Sequence, residues 1–306
     1  MADLLFRGTA PALVTPFTPD DQVDEAAFRR LIDFQIDGGP GAGAGMEALV
    51  VLGTTGETPT VTHDERRRLI DIALDQAAGR VPVIVGTGTN DTAQSVTFSK
   101  EAADAGADAL LVVGPYYNKP TPNGLVAHVA AIADATDTPI MLYNVPGRTG
   151  ANITAETTLR IADEVPTVFG VKEASGNLAQ ITDVLAHRPD GFGVYSGDDD
   201  MTLAMLALGA DGLVSVIANA VPGAVSEMVR LGLQGDIEGA RAKHFHLLDA
   251  MRASFFEANP GPVKAVLAEM GMMEESVRLP LATVTPETRR RVLDAYRPHI
   301  RTTVQS

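Results

Sequence analysis

Hydrophobic residues in this chain fall into short unbroken runs, separated by longer stretches where they recur every three or four positions. The runs are ALVTPF (12–17), ALVVLG (48–53), VPVIVGT (81–87), ALLVVGP (109–115), IMLYNV (140–145), VFGVKEA (168–174), GVYSGD (193–198) and GLVSVIAN (212–219). They are continuous rather than alternating, which predicts parallel strands covered on both faces. Between them, DEAAFRRLIDFQI (24–36), HDERRRLIDIALDQA (63–77) and TAQSVTFSKEAADAG (92–106) carry helical spacing. Thr62 and Asp91 suit N-caps, and Gly79 and Gly106 suit stops. Eight strand–helix units in about 230 residues predict an α/β fold, a (β/α)8 TIM barrel. A doubly wound sheet fits less well, because VTPFTPDDQ offers no glycine-rich first turn. After residue 234 only helical patterns remain, at 236–258, 261–271 and 287–300. They predict a barrel domain over 1–234 and a C-terminal helical domain over 235–306. The stretch GGPGAGAGME (38–47) predicts a surface loop at the N-terminal face of the barrel.

Composition narrows the function. The 306 residues carry a net charge of -15, so a phosphate backbone is repelled and no nucleic-acid partner is expected. Without cysteine, disulfides, thiolate catalysis and cysteine-ligated metals are excluded. No apolar run approaches the roughly 18 residues of a membrane span. MADLLFRGTA lacks a signal-peptide pattern, and a cytoplasmic protein is expected.

Barrel chemistry sits at the C-terminal ends of strands. Those ends carry Thr54 and Thr55 in GTTGE, Tyr116 and Tyr117 in GPYYNKP, Tyr143, Asn144 and Arg148 in YNVPGRTG, Lys172 and Glu173 in GVKEAS, and Ser196 to Asp200 in SGDDD. Lys172 interrupts an apolar strand with no solvent face. A buried amine is driven toward its neutral form, and a neutral amine can attack a ketone to form an imine. An ordinary snorkelling lysine at the strand end, paired with Glu173 or an acidic neighbour, is the alternative. Tyr143 could relay protons or be a satisfied core phenol. Thr54 and Thr55 could hold a small carboxylate or serve only as turn residues. Arg148 could clamp a carboxylate or stand free in a loop. SGDDD is expected to complement a helix dipole rather than bind metal, and its acidity disfavours a phosphorylated substrate. His244 and His246 lie two apart on a helix and share no face. No metal site is expected.

Together, ALVTPF, GTTGE, PVIVGTGTN, GPYYNKP, YNVPGRTG, GVKEASGN, YSGDD and NPGPVKAVL resemble the dihydrodipicolinate synthase family over nearly the whole chain. The one departure is the extra length at GPGAGA (40–45). The resemblance implies that Lys172 forms an imine with pyruvate, and that Tyr143, Thr54 and Tyr117 relay protons. It implies Tyr117 supplied by a neighbouring subunit, and Thr55 holding the pyruvate carboxylate. Gly197 and Val214 would line the pyruvate pocket, and Arg148 would bind the carboxylate of aspartate 4-semialdehyde. It implies a lyase of lysine and diaminopimelate synthesis, without cofactor, as a homotetramer of tight dimers. Related aldolases of sialic and keto-deoxy-sugar acids share the lysine and tyrosine but usually lack the arginine. A barrel that only binds a small acid is a further alternative.

Members inhibited by lysine bind it near positions matching Thr58, Pro59, His63, Arg66, Asn90, Gln94 and Tyr116. Arg66 and Gln94 depart from the inhibitable pattern of histidine and glutamate. Weak or absent inhibition is expected, since a cation is added and a carboxylate lost.

Overall fold

The structure is a computed structural model describing residues 4–39 and 44–300. The strands are β1 (Gly8–Pro11), β2 (Leu49–Val51), β3 (Val83–Gly86), β4 (Ala109–Val113), β5 (Ile140–Asn144), β6 (Val168–Glu173), β7 (Gly193–Ser196) and β8 (Gly212–Ser215). All ladders are parallel, in the order β1-β8-β7-β6-β5-β4-β3-β2. The ring closes between β1 and β2, where the Glu47 N–H donates to Thr9 O and the Leu13 N–H to Val50 O. This is the expected eight-stranded barrel.

The first strand needs correction. It is GTAP at 8–11, not ALVTPF at 12–17. Gly8 and Pro11 hide it from a reading based on branched apolar residues. Gly8 adopts φ +134, and a Cβ there would lie 2.5 Å from the Glu47 side chain. Ala12 and Leu13 keep two sheet bonds, to Ser215 O and Val50 O. The Val14 N–H then donates to the Asn219 side chain, and the chain leaves the sheet. The predicted run is therefore the loop at the barrel mouth. Other strands are shorter than their apolar runs. β2 stops at Leu52, which has φ +56, and β8 gives way to a 3-10 turn over Ile217–Asn219.

Two apolar layers follow from strand alternation. Inside the barrel lie Ala10, Ala48, Val50, Ile84, Leu111, Met141, Tyr143, Tyr195 and Val214. Outside, Leu49, Val85, Leu142, Val171 and Leu213 pack against the helices. Phe6 closes the inside layer through its stacked contact with Tyr195, whose hydroxyl donates to Phe6 O at 2.7 Å.

The helices confirm their caps. His63–Ala77 starts at Thr62 with a full capping box, and Thr92–Ala105 starts at Asp91 and stops at left-handed Gly106. The first of these ends one residue early, with Ala78 left-handed before Gly79. The C-terminal helices are Ile237–Ala253, Gly261–Glu269 and Pro286–Tyr296. They share the outer apolar layer with the barrel helices. Within the glycine-rich 38–47 stretch, residues 40–43 lie outside the described residues.

Candidate active site

Lys172 and Tyr143 are register partners on β6 and β5, both facing inward at the strand ends. The Lys172 Nζ lies 4.2 Å from the centroid of the Tyr143 ring. Both residues are buried, at 5% and 6% exposure. The pairing with Glu173 that the alternative reading of Lys172 calls for does not occur, because successive strand residues face opposite sides. Glu173 points into the outer layer. There it accepts from Asn144 Nδ2 at 3.1 Å, Gln180 Nε2 at 3.1 Å and the Ser175 N–H at 2.8 Å. This network fixes the β5–β6 end beneath the lysine.

Gly197 makes room for the lysine. A Cβ there would meet Ala174 Cβ at 2.7 Å and Lys172 Cε at 3.0 Å. Val214, on β8, faces the same interior as Tyr143. Asp198 follows Gly197 and faces Lys172 electrostatically. Burial pushes its carboxyl up to about 6, against the downward pull of Lys172.

The GTTGE turn crosses the mouth from β2. Thr54 is half-buried, and Thr55 is buried, its hydroxyl accepting from Asn259 Nδ2 at 2.9 Å. Arg148 sits on the short helix Pro146–Thr149, exposed and without a carboxylate partner among the described residues. Tyr117 is not gathered with the others. The residue is 87% exposed, although its backbone, at φ +73, is held by an N–H bond to Thr149 O.

SGDDD opens a 3-10 turn, Asp199–Met201, that runs into the helix Thr202–Ala207, with Asp199 and Asp200 in its acidic first turn as expected. Asp199 has a second part, across the sheet end. It accepts from the Ser215 hydroxyl at 2.5 Å, the Val216 N–H at 3.0 Å and the Ile217 N–H at 3.4 Å. Barrels often hold phosphate with amides after strands seven and eight. Here a buried carboxylate occupies such amides, which argues against a phosphorylated ligand. Among the described residues, no cluster of histidine and carboxylate side chains could hold a metal, and no helix is long and apolar enough to cross a membrane.

Sequence reading missed Glu57, Asn259 and Lys264. Glu57 forms a close ion pair with Lys264, and both are fully buried. The signal was present in GPVKAVL, where Lys264 interrupts an apolar run much as Lys172 does.

Comparison with known proteins agrees with this geometry. Residues 5–297 match the model of the dihydrodipicolinate synthetase family. The chain is 64% identical to the 4-hydroxy-tetrahydrodipicolinate synthase of Salinibacter ruber over 304 residues, covering 99% of each. It is 52% identical to the enzyme of the same name from Koribacter versatilis, covering 92% of each. The crystal structure of dihydrodipicolinate synthase from Thermotoga maritima superposes with a TM-score of 0.93 at 41% identity, over 96% of this chain and 99% of that one. This chain belongs to the dihydrodipicolinate synthetase family.

Proposed function

We infer that the chain is a 4-hydroxy-tetrahydrodipicolinate synthase, a lyase that condenses pyruvate with aspartate 4-semialdehyde. The observation that carries this reading is an inward lysine at the barrel mouth, beside a buried tyrosine, in a chain 64% identical to a synthase of that name. The Lys172 amine attacks the pyruvate ketone and water leaves, giving an imine. Loss of a proton from the pyruvate methyl gives an enamine, which attacks the aldehyde carbon. The substrate's own amine then displaces Lys172 from the imine carbon, closing the ring and freeing the lysine. One water is released overall. Tyr143 moves the protons, in relay with Thr54 and Tyr117. Thr55 holds the pyruvate carboxylate, with Gly197 and Val214 lining its pocket. The protonated imine is itself the electron sink, so the steps call for no metal or organic cofactor.

Tyr117 suits a role across an interface. An aromatic ring this exposed, on a backbone this fixed, fits burial against a second copy. We therefore assign the working form to a homotetramer of tight dimers, acting in the cytoplasm. The barrel would span 1–234 and the helical domain 235–306. The unpaired Arg148 favours a second substrate with a carboxylate over the sugar acids of related aldolases.

Lysine would inhibit this chain weakly. Arg66 occupies the corresponding site itself: Nη1 donates to Thr58 Oγ1 at 3.0 Å, Nη2 to Gly86 O, and the guanidinium covers the Phe98 ring at 4.2 Å. Burial lowers its pKa to about 10, which leaves it cationic at neutral pH.

Borohydride reduction with pyruvate tests the central step. The expected product is a reduced adduct on Lys172 alone by mass spectrometry. An adduct on another lysine, or none, overturns the assignment.

A further inference from the structure

The turn that carries Thr54 and Thr55 is bracketed by two non-glycine residues in the left-handed region, Leu52 at φ +56 and Glu57 at φ +55. Such conformations are costly and persist only where surrounding contacts dictate them. At Glu57 those contacts come from the C-terminal helical segment. One carboxylate oxygen takes the Lys264 ammonium, and the other accepts the Arg278 N–H at 2.9 Å. The same segment sends Asn259 Nδ2 to the Thr55 hydroxyl. Three donors from residues 259–278 thus converge on five consecutive residues, 53–57, more than 200 positions away.

Lys264 is itself placed from several sides. Its Nζ donates to Ser276 O at 2.8 Å and lies 4.5 Å from the centroid of the Phe17 ring. The Arg278 guanidinium covers the same ring at 4.1 Å. Arg278 spends its side-chain donors elsewhere, on Glu65, Asp21 and the Thr60 carbonyl. Lys264 and Glu57 therefore form a pair sealed from solvent, directly beneath the turn, while the Arg278 side chain clamps its flank.

We propose that Lys264, Glu57 and Asn259 are positioning residues for keto-acid binding, with the C-terminal segment setting the geometry of the Thr54–Thr55 turn. The inference rests on the reading of that turn as the carboxylate holder. Removing the pair leaves Lys172 and Tyr143 untouched but loosens the turn that carries both Thr55 and the relay hydroxyl of Thr54, so it weakens ground-state binding of pyruvate, which trapping reads directly, and slows the chemistry as well.

The test uses the double variant Glu57→Gln/Lys264→Met, which removes both charges at nearly constant volume and leaves no buried ion unpaired. Borohydride trapping is measured against pyruvate concentration, together with steady-state rates. The expected result is a tenfold or larger rise in half-saturating pyruvate for trapping, with kcat falling too because Thr54 shares the turn. Asn259→Ala, which introduces no charge, is expected to raise half-saturation about threefold to fivefold and serves if the double variant does not fold. Arg278→Met keeps the backbone donor to Glu57, and is expected to lower the unfolding temperature without moving half-saturation. Unchanged half-saturation in the double variant, or in Asn259→Ala where only that variant folds, overturns the proposal. An equal shift in Arg278→Met also overturns it, by tracing the effect to general loosening. Failure of wild-type protein to form a Lys172 adduct sinks the functional reading instead.

Discussion

Replacing Gly197 by alanine is the smallest change that tests the packing around Lys172. The new Cβ would lie 2.7 Å from Ala174 Cβ and 3.0 Å from Lys172 Cε. The lysine end can swing aside, but the alanine methyl cannot. Nor can the backbone yield freely, since the Gly197 N–H donates to Glu173 O at 2.8 Å. Overpacking of this kind costs about 1–3 kcal/mol. In a chain of this size that lowers the unfolding temperature by roughly 2–6 °C. Catalysis is more sensitive, because a displacement of about 1 Å at reacting groups costs about 100-fold. The expected result is a kcat/KM reduced about 100-fold, with the fold retained at assay temperature. A coupled assay and a thermal melt measure the two effects. Ala174→Gly in the same background removes the 2.7 Å clash and is expected to recover at least tenfold. A Gly197→Ala enzyme within threefold of wild type would refute the claim that this glycine holds the lysine's space.

Tyr143→Phe keeps the ring under the Lys172 Nζ and removes the hydroxyl, so kcat is expected to fall 100- to 10,000-fold, as for loss of a proton-transfer group; retention of more than a tenth of the activity removes Tyr143 from the relay. Arg148→Ala is expected to abolish turnover of aspartate semialdehyde while leaving pyruvate trapping intact, and equal activity of both would reopen the choice of second substrate. Lysine is expected to leave activity unchanged below millimolar concentration, and strong inhibition there in a titration contradicts the self-filled site at Arg66. Asp198 gives a pH test of defined sign. Its folded pKa, about 6, lies above the ordinary 3.8, so burial favours the neutral acid. The penalty for ionising it is absent at acid pH below 3.8 and complete above about 6. Asp198→Asn is therefore expected to raise the unfolding temperature at pH 8 but not at pH 3.5, and equal shifts at both would exclude the mechanism.

The barrel was legible because each parallel strand is buried on both faces, which forces an unbroken apolar run. β1 escaped for the same reason in reverse. Its inward positions face a crowded interior, so it is built from Gly8, Thr9, Ala10 and Pro11, which carry little strand signal. At the site, Lys172, Tyr143, Thr55 and Arg148 could be nominated as candidates because strand ends in a barrel point to one mouth. The bonds of Asp199 to Ser215, Val216 and Ile217 could not be read, since these partners lie at the end of the next strand and in the turn after it. Which side chains meet across two strand ends depends on how the whole sheet closes, beyond what one segment's pattern shows.

The two buried lysines show what a sequence signal of this kind can and cannot decide. Lys172 and Lys264 each interrupt an apolar run, and each is almost fully buried. Burying an ammonium is costly unless a counter-charge accompanies it. Lys264 has that counter-charge in Glu57, a carbonyl at Ser276, and two cations sharing one aromatic ring, so its donors are spent. Lys172 faces an aromatic ring and a glycine, and no carboxylate lies within ion-pair distance among the described residues. Its neighbour Glu173 has been turned to the other side of the strand, where three donors hold it. An amine whose donors are spent is fixed in place, while one left without a partner is available to a ketone. The alternation of β6 separates Lys172 from Glu173. In the proposed function, the same alternation distinguishes a positioning lysine from a nucleophilic one.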